Sequence, residues 1–327
     1  MGDSDIVVIL TLYVDDMMIM GNNSKQIQKI KDQLASRFRM TDLGPITDFL
    51  GLDVSRDRKN RIIYINQTRY FTDVLERFDM MDCTPALTPL PSGIILTENE
   101  EPVDHLLRSQ FQQIIGSLLY GMIGSRPDIS FAVIRLSRYS SNPSVAHIKA
   151  ARHIMRYLRG TLDLRIKYDG NSGNGSIGYS DADWAENKDD CHSMTGYLYM
   201  LANGPISWVS RRQPTVALSS TEAEYMALSD SSRHACWLRS FISELGYSLP
   251  PTPLCADNQG SIFLASNPAH DRRTKHIDIR YHFIREKVED GVIKIYHVPS
   301  GAQLADALTK SLNHTKFIEF RDLYNLC

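Results

Sequence analysis

Four acidic residues stand in settings suited to chemistry. They are Asp181 in Tyr179-Ser180-Asp181-Ala182-Asp183-Trp184, Glu224 in Ser220-Thr221-Glu222-Ala223-Glu224-Tyr225, Asp257 in Cys255-Ala256-Asp257-Asn258-Gln259, and Asp306 in Gln303-Leu304-Ala305-Asp306. Carboxylates so far apart in sequence converge only if the fold gathers them, and gathered carboxylates repel one another unless a cation neutralises them. Hard oxygen donors with open positions suit Mg²⁺ or Mn²⁺. Two such ions in one site are a general device for hydrolysing a phosphodiester by in-line attack of water. Taken singly, each acid has a plainer explanation, because an Asp at a strand end is most often a turn or cap residue. Asp183 and Glu222 are close competitors of Asp181 and Glu224. Glu222 sits at a helix start beside Thr221, where an acid stabilises the helix dipole and needs no other role.

The chain that must position these residues has 327 amino acids, enough for two or three domains. Hydrophobic residues make up 43%, which supports a packed core and argues against global disorder. The net charge of -2 argues against a highly charged tail binder, although charges can still segregate by face. The five cysteines are scattered and form no Cys-x-x-Cys, which disfavours a zinc ribbon and fits a reduced intracellular protein, cytoplasmic or nuclear. No apolar run reaches the ~18 residues of a membrane span. The run Ile6–Tyr13 follows Asp3 and Asp5, where a signal peptide would be basic, and reads as a strand.

Periodicity gives the remaining elements. Two β-prone runs flank Asp15-Asp16 and predict a hairpin. Gly21-Asn22-Asn23-Ser24 then caps a helix bearing Ile27, Ile30, Leu34 and Phe38. Strands are expected at Phe49–Val54 and Arg61–Ile65, and a helix at Tyr70–Phe78. Residues 82–104, with four prolines, read as a linker. Helices follow over Gln112–Gly124, Asp128–Tyr139 and Ser144–Arg159. The Gly, Ser and Asn-rich stretch Asp169–Ser176 is a domain boundary. Beyond it, strands are predicted at Ile177–Asp181, Thr195–Leu201, Ile206–Val209, Pro253–Asp257 and Val292–His297. Helices are predicted at Thr221–Leu245, Asn258–Ala265, Asp278–Glu289 and Leu304–Thr309. Three early strands followed by alternating helices and strands give a mixed sheet with flanking helices, an α/β (α+β) class. The predicted domains are 1–81, 82–170 and 171–327.

Residues 177–310 resemble the ribonuclease H domain of Ty1/copia-type retrotransposon polyproteins. The resemblance lies in Gly178–Trp184, Pro205-Ile206-Ser207-Trp208, Ala217–Tyr225, Arg273–Phe283 and Leu304-Ala305-Asp306. It implies a ribonuclease H-like fold, with Asp181 on the first strand, Glu224 on the first long helix, Asp257 at the end of the fourth strand and Asp306 at the start of the last helix. It implies that these four acids hold two Mg²⁺ (or Mn²⁺) ions and cleave the RNA strand of an RNA–DNA hybrid, distinguished by its 2′-hydroxyls. Tyr225-Met226-Ala227 supports Glu224, since a hydrophobic stretch follows the catalytic Glu in ribonucleases H. The basic residues Arg272, Arg273, Lys275, His276 and Arg280 are candidate contacts to the nucleic-acid backbone, against the plainer reading of a solvated face. Trp184, Trp208, Trp237 and Tyr281 read as packing residues. Two departures from the family pattern stand out: Cys191-His192 replaces a basic pair, which weakens an expected hybrid contact, and Val298-Pro299-Ser300-Gly301 lacks a loop histidine linked to product release.

The N-terminal part resembles the same family's reverse transcriptase. Tyr13-Val14-Asp15-Asp16 is similar to its metal-binding hairpin, making Asp15 and Asp16 candidate metal ligands, and Phe49–Val54 to its primer-gripping hairpin. Residues 66–168 resemble its thumb and connection, through Gly116–Tyr120 and Arg126-Pro127-Asp128-Ile129. In the family another palm carboxylate lies upstream, so the expectation is a truncated palm without fingers, with exposed strand edges over residues 6–20 and no polymerase activity. The competing reading is an inactive remnant or a co-opted nucleic-acid-binding protein. An integrase of the same fold is disfavoured, because it has no place for the hairpin and thumb-like helices. Self-association or other Pol fragments are the further partners considered; no membrane is expected.

Overall fold

The computed structural model describes residues 6–173, 175–184, 190–266 and 278–327, without the side chains of 278–281. Strands β1 (Val8–Tyr13) and β2 (Asp16–Gly21) form a two-stranded antiparallel sheet of their own. Tyr13 pairs with Asp16, so the turn is Val14-Asp15, one residue earlier than expected. Val14 carries the left-handed φ of 52° that a two-residue hairpin requires, an unfavourable conformation for a β-branched side chain. Asn23 caps α1 (Ser24–Ala35) by accepting from the Gln26 amide at 3.1 Å. The helix ends before Phe38 and buries none of its residues. Leu12, Tyr13 and Val14 are also exposed, as expected of this hairpin. A lone hairpin is marginal in water, so this region adds little to the core.

A second antiparallel sheet runs in the order β3 (Asp48–Phe49), β4 (Leu52–Asp57), β5 (Ile62–Asn66) and β6 (Ile166–Asp169). Phe49–Val54 is therefore a hairpin rather than one strand. Leu50 and Gly51 turn it at positive φ, and a Cβ on Gly51 would meet the Tyr120 hydroxyl at 2.7 Å. That hydroxyl donates to the Leu50 carbonyl at 2.8 Å. Helices α2 (Thr68–Arg77), α3 (His105–Gly124), α4 (Ser130–Ser137) and α5 (Val145–Arg159) pack through Leu75, Phe111, Ile114, Leu118, Leu136 and Leu158. Their core continues without a break into Leu198, Met200, Leu308, Phe317 and Phe320, so the helices and the C-terminal sheet share one interior.

That C-terminal sheet comprises β7 (Ile177–Ala182), β8 (Met194–Leu201), β9 (Gly204–Arg212), β10 (Thr252–Ala256) and β11 (Ile293–His297), in the order β11-β10-β7-β8-β9. The pairs β7–β8 and β8–β9 are antiparallel, while β10 is parallel to both β7 and β11, which makes the mixed sheet predicted. The long helix α6 (Ser220–Glu244) lays Tyr225, Leu228, Ala235 and Leu238 against Tyr199, Leu254 and Ile293. Helices α7 (Gln259–Ser266) and α8 (Asp278–Glu289) precede β11. The helix expected at Leu304–Thr309 is a 3-10 helix over Leu304–Leu308, and α9 (His314–Leu323) closes the fold. Sequence periodicity missed β6 and α9.

Candidate active site

The parallel pairing of β7 and β10 brings two of the four acids together. Cys255 is in register with Tyr179, so two residues further on Asp257 comes beside Asp181 at the same end of the sheet. Asp257 follows the last residue of β10, and Asn258 accepts from the Ser261 amide to start α7. Ser219 caps α6 by accepting from the Glu222 amide, and Glu224 then falls within the first two turns, on the face covering β7. Carboxylate oxygens of Asp181, Glu224 and Asp257 lie within 4.8 Å of one another.

Asp181 and Glu224 are buried and Asp257 is half-buried. Burial is the main cause that raises the Asp181 carboxyl above its ordinary range, and Asp306 and Asp257 push it further; the Thr309 hydroxyl, 2.6 Å from Oδ2, opposes the rise. Glu224 is raised further still, by burial first and then by Asp181 and Asp257. Both shifts express burial of like charges close together, which the Lys310 charge offsets only in part at Asp181. No ion pair reaches Asp181, Glu224 or Asp257 among the described residues. An all-oxygen donor set of this spacing fits a hard divalent ion.

Asp306 sits apart from this triad. Its carboxylate is paired by Lys310 on Oδ1 and by Lys316 on Oδ2, the latter at 2.6 Å. Thr309 links it to the others: its hydroxyl lies 2.6 Å from Asp181 Oδ2 and 3.0 Å from the Asp306 carbonyl. Gln303 ties the same corner together from a fully buried position. Its amide nitrogen donates to the Ser180 carbonyl at 2.9 Å, and its Oε1 accepts from the Ala305 amide at 3.2 Å. Gly196, opposite Asp181 on β8, lets the 3-10 helix approach: a Cβ there would meet Thr309 Cγ2 at 2.7 Å and the Ala305 carbonyl at 2.9 Å. None of Gln303, Thr309, Lys310, Lys316 and Gly196 was singled out from sequence. The Gln303–Lys310 run borders Asp306, and that adjacency was the available signal.

The two competing acids have structural duties. Asp183 accepts from the Met194 amide and closes the β7–β8 ladder. Glu222 accepts from the Leu218 amide at 2.8 Å, completing the capping of α6. The departure at Cys191-His192 belongs to a folded turn, in which His192 Nδ1 lies 2.8 Å from the Gln213 carbonyl.

With this geometry in hand, the comparisons with known proteins place the chain. The reverse transcriptase (RNA-dependent DNA polymerase) family matches residues 1–92. The chain is 39% identical, over 98% of its length, to a retrovirus-related Pol polyprotein from transposon TNT 1-94 of Nicotiana tabacum. It is 32% identical, over 70% of its length and 74% of the relative's, to a putative transposon Ty5-1 protein of Saccharomyces cerevisiae. The chain belongs to the retrovirus-related Pol polyproteins of copia-type transposons. It spans 24% of the TNT 1-94 polyprotein and 21% of the Arabidopsis thaliana RE1 polyprotein, to which it is 39% identical. Among solved structures, an RNase H1 isolated from compost, LC11, aligns with 42% of this chain and 94% of its own, at 18% identity and a TM-score of 0.33. The same enzyme in complex with an RNA/DNA hybrid aligns at 16% identity, over 41% of this chain and 93% of its own, with a TM-score of 0.32.

The remaining residues singled out in this Pol chain are distributed differently. Asp15 and Asp16 are exposed at the tip of the β1–β2 hairpin, and no third acid joins them among the described residues. Arg272, Arg273, Lys275 and His276 lie outside the described residues, as does the side chain of Arg280. Trp208 is a packing residue, donating from Nε1 to the Met122 carbonyl at 3.0 Å. Trp184 and Trp237 are each 57% exposed, and Trp237 stacks on His234 and Phe241 with ring centres 5.4 and 5.7 Å away. No helix among the described residues is long and apolar enough to cross a membrane.

Proposed function

We propose that this chain hydrolyses the RNA strand of RNA–DNA hybrids at the Asp181–Glu224–Asp257 cluster, with Asp306 as the fourth acid. The observation that carries the reading is three carboxylates within 4.8 Å of one another, two of them buried, with no paired cation among the described residues. Such an arrangement is unfavourable until divalent cations enter. Mg²⁺ or Mn²⁺, two ions in all, would be held by Asp181, Glu224, Asp257 and Asp306. When bound, such ions supply Lewis acidity, lowering the pKa of water and stabilising charge on the phosphate. The chain's own residues build the site: β7 and β10 fix Asp181 and Asp257, α6 brings Glu224 over them, and Thr309 and Gln303 hold the corner rigid. Trp184, which follows β7 and donates to the Ala217 carbonyl, and Leu218, which precedes α6, are both exposed and are proposed as apolar surface for sugars and bases. The basic run Arg272, Arg273, Lys275, His276 and Arg280 is proposed to contact backbone phosphates. Asp15 and Asp16 are assigned to metal binding by family resemblance only.

The test is strand selectivity. The full chain is incubated with a hybrid labelled on either strand, with single-stranded RNA and with duplex DNA, in Mg²⁺ or in chelator. Cleavage confined to the RNA of the hybrid and abolished by chelator is the expected result. Equal cleavage of single-stranded RNA would contradict hybrid specificity. No cleavage by folded protein would favour a non-enzymatic, nucleic-acid-binding role.

A further inference from the structure

Asp306 differs from the other three acids in being held at both oxygens. Lys310 pairs with Oδ1, and Lys316 Nζ lies 2.6 Å from Oδ2. The Asp306 side chain is only 4% exposed, whereas Lys310 and Lys316 are 40% and 33% exposed. The two cations come from different elements. Lys310 follows the 3-10 helix, while Lys316 rises from α9, whose start is fixed by Asn313 accepting from the Lys316 amide at 3.0 Å. The Lys316 ammonium also lies 5.4 Å from the centre of the Phe320 ring, which steadies it over the site. The Thr309 hydroxyl, 2.6 Å from Asp181 Oδ2, also lies 3.0 Å from the backbone carbonyl of Asp306, which ties that residue to the acidic cluster.

We propose that Lys310 and Lys316 form a cation clamp on Asp306 that makes divalent-ion binding sequential. The first ion enters at Asp181, Glu224 and Asp257, none of which pairs with a cation in contact among the described residues; Lys310 acts on Asp181 only at longer range. The second needs Asp306, and must displace at least one ammonium and overcome the repulsion of the other. The lysines are partly solvated, so they can swing clear once the ion arrives, leaving their charge at the rim. In the metal-free protein the clamp holds a fourth carboxylate in place beside three others, which bare repulsion would otherwise spread apart. This inference rests on the divalent-ion reading of the acidic cluster.

The experiment is calorimetric titration of the full chain with MnCl₂, comparing wild type, Lys316→Met, Lys310→Met and Lys316→Arg, each checked for folding by circular dichroism. Wild type is expected to bind one ion tightly and a second at least ~10-fold more weakly. Each methionine variant should tighten the second step by roughly 10-fold and leave the first within about 3-fold. Lys316→Arg keeps the charge and should behave as wild type. Because the two lysines sit on different elements, the loss of one variant to misfolding leaves the other decisive. A second step that is unchanged or weaker in the methionine variants overturns the clamp, as does wild type binding two ions equally tightly. Folded wild type that binds no Mn²⁺ defeats the metal reading itself and the clamp with it.

Discussion

Asp128 and Asp181 are buried to nearly the same degree, 4% and 3% exposed, and in opposite electrostatic circumstances. Asp128, in the turn before α4, accepts two bonds from the Arg126 guanidinium at 2.9 and 2.7 Å and a third from the Tyr157 hydroxyl at 2.7 Å. The guanidinium lies 5.7 Å from the Phe71 ring centre and 5.5 Å from that of Tyr157, and donates to the Thr161 carbonyl at 3.0 Å. Every charge there is matched, and the network joins the α3–α4 turn to α5. Asp181 instead faces Glu224 and Asp257 with a hydroxyl donor, Thr309, in contact and the Lys310 charge at longer range to offset them, and no ion pair of its own among the described residues. Burial of an acid is therefore a poor guide to function; burial without compensation marks the site that has something to bind. Asp306 falls between the two cases, buried like Asp181 and paired like Asp128.

The largest expected effect comes from breaking the compensated pair. Arg126→Met leaves Asp128 buried and unmatched, and should cost about 3–5 kcal/mol in urea denaturation. Glu224→Gln removes one of several crowded carboxylates and should leave the metal-free protein at pH 8 as stable as wild type or more so. A loss in Glu224→Gln comparable to that in Arg126→Met would erase the contrast. The next effect is the response to metal. At an Mn²⁺ concentration ~100-fold above its Kd, wild type should gain about 2.7 kcal/mol, and Glu224→Gln should lose most of that gain. Thermal melts with and without the ion decide this.

Packing around Asp306 gives the third test. Gly196→Ala drives a methyl into Thr309 and the Ala305 carbonyl, and should destabilise by roughly 1–3 kcal/mol with a parallel loss of metal response. A stable variant with normal Mn²⁺ binding would show that the 3-10 helix can shift without consequence. Fourth is pH. Asp181 and Glu224 have pKa values raised in the folded state, so between the unfolded carboxylate value near ~4 and the raised values the native state binds more protons. Their contribution to metal-free stability is therefore present at low pH and lost as pH rises through that window, and added Mn²⁺ should reverse the trend. Melts from pH 5 to 8 that rise without metal would contradict the uncompensated burial. The smallest effect belongs to the hairpin. Asp15→Asn, at an exposed turn, should change metal-free stability by less than about 0.5 kcal/mol in the same melts.

The legible parts of this molecule are those whose signal is local. The four acids stand out because each lies in a distinctive short sequence, and Asp183 and Glu222, ranked below their neighbours, each accept a backbone amide bond. The helix-dipole reading of Glu222 is met by its place in the first turn of α6. The strands of the mixed sheet and the long helix followed from periodicity. What stayed hidden acts across the fold. Gln303 reaches a carbonyl 123 residues away, and Thr309 a carboxylate 128 residues away. Strand β6 is four residues long and gains its partner from β5, about a hundred positions earlier. Helix α9, which carries Lys316, went unread although Asn313 offers a cap and Phe317 and Phe320 an apolar face. The turn at Val14-Asp15 was misplaced by one residue because Asp is the better turn former, while strand register set the actual position.

The most direct measurement is cleavage of a labelled RNA–DNA hybrid in Mg²⁺ by wild type and by Asp257→Asn, with both proteins shown to be folded. Asp257 is half-buried at a strand end, so its amide should fold normally and remove one candidate metal ligand. Metal-dependent cleavage of the RNA strand by wild type, reduced ~100-fold or more in Asp257→Asn, is the expected result. Equal cleavage by the two proteins would show that the carboxylate cluster is not where the chemistry occurs.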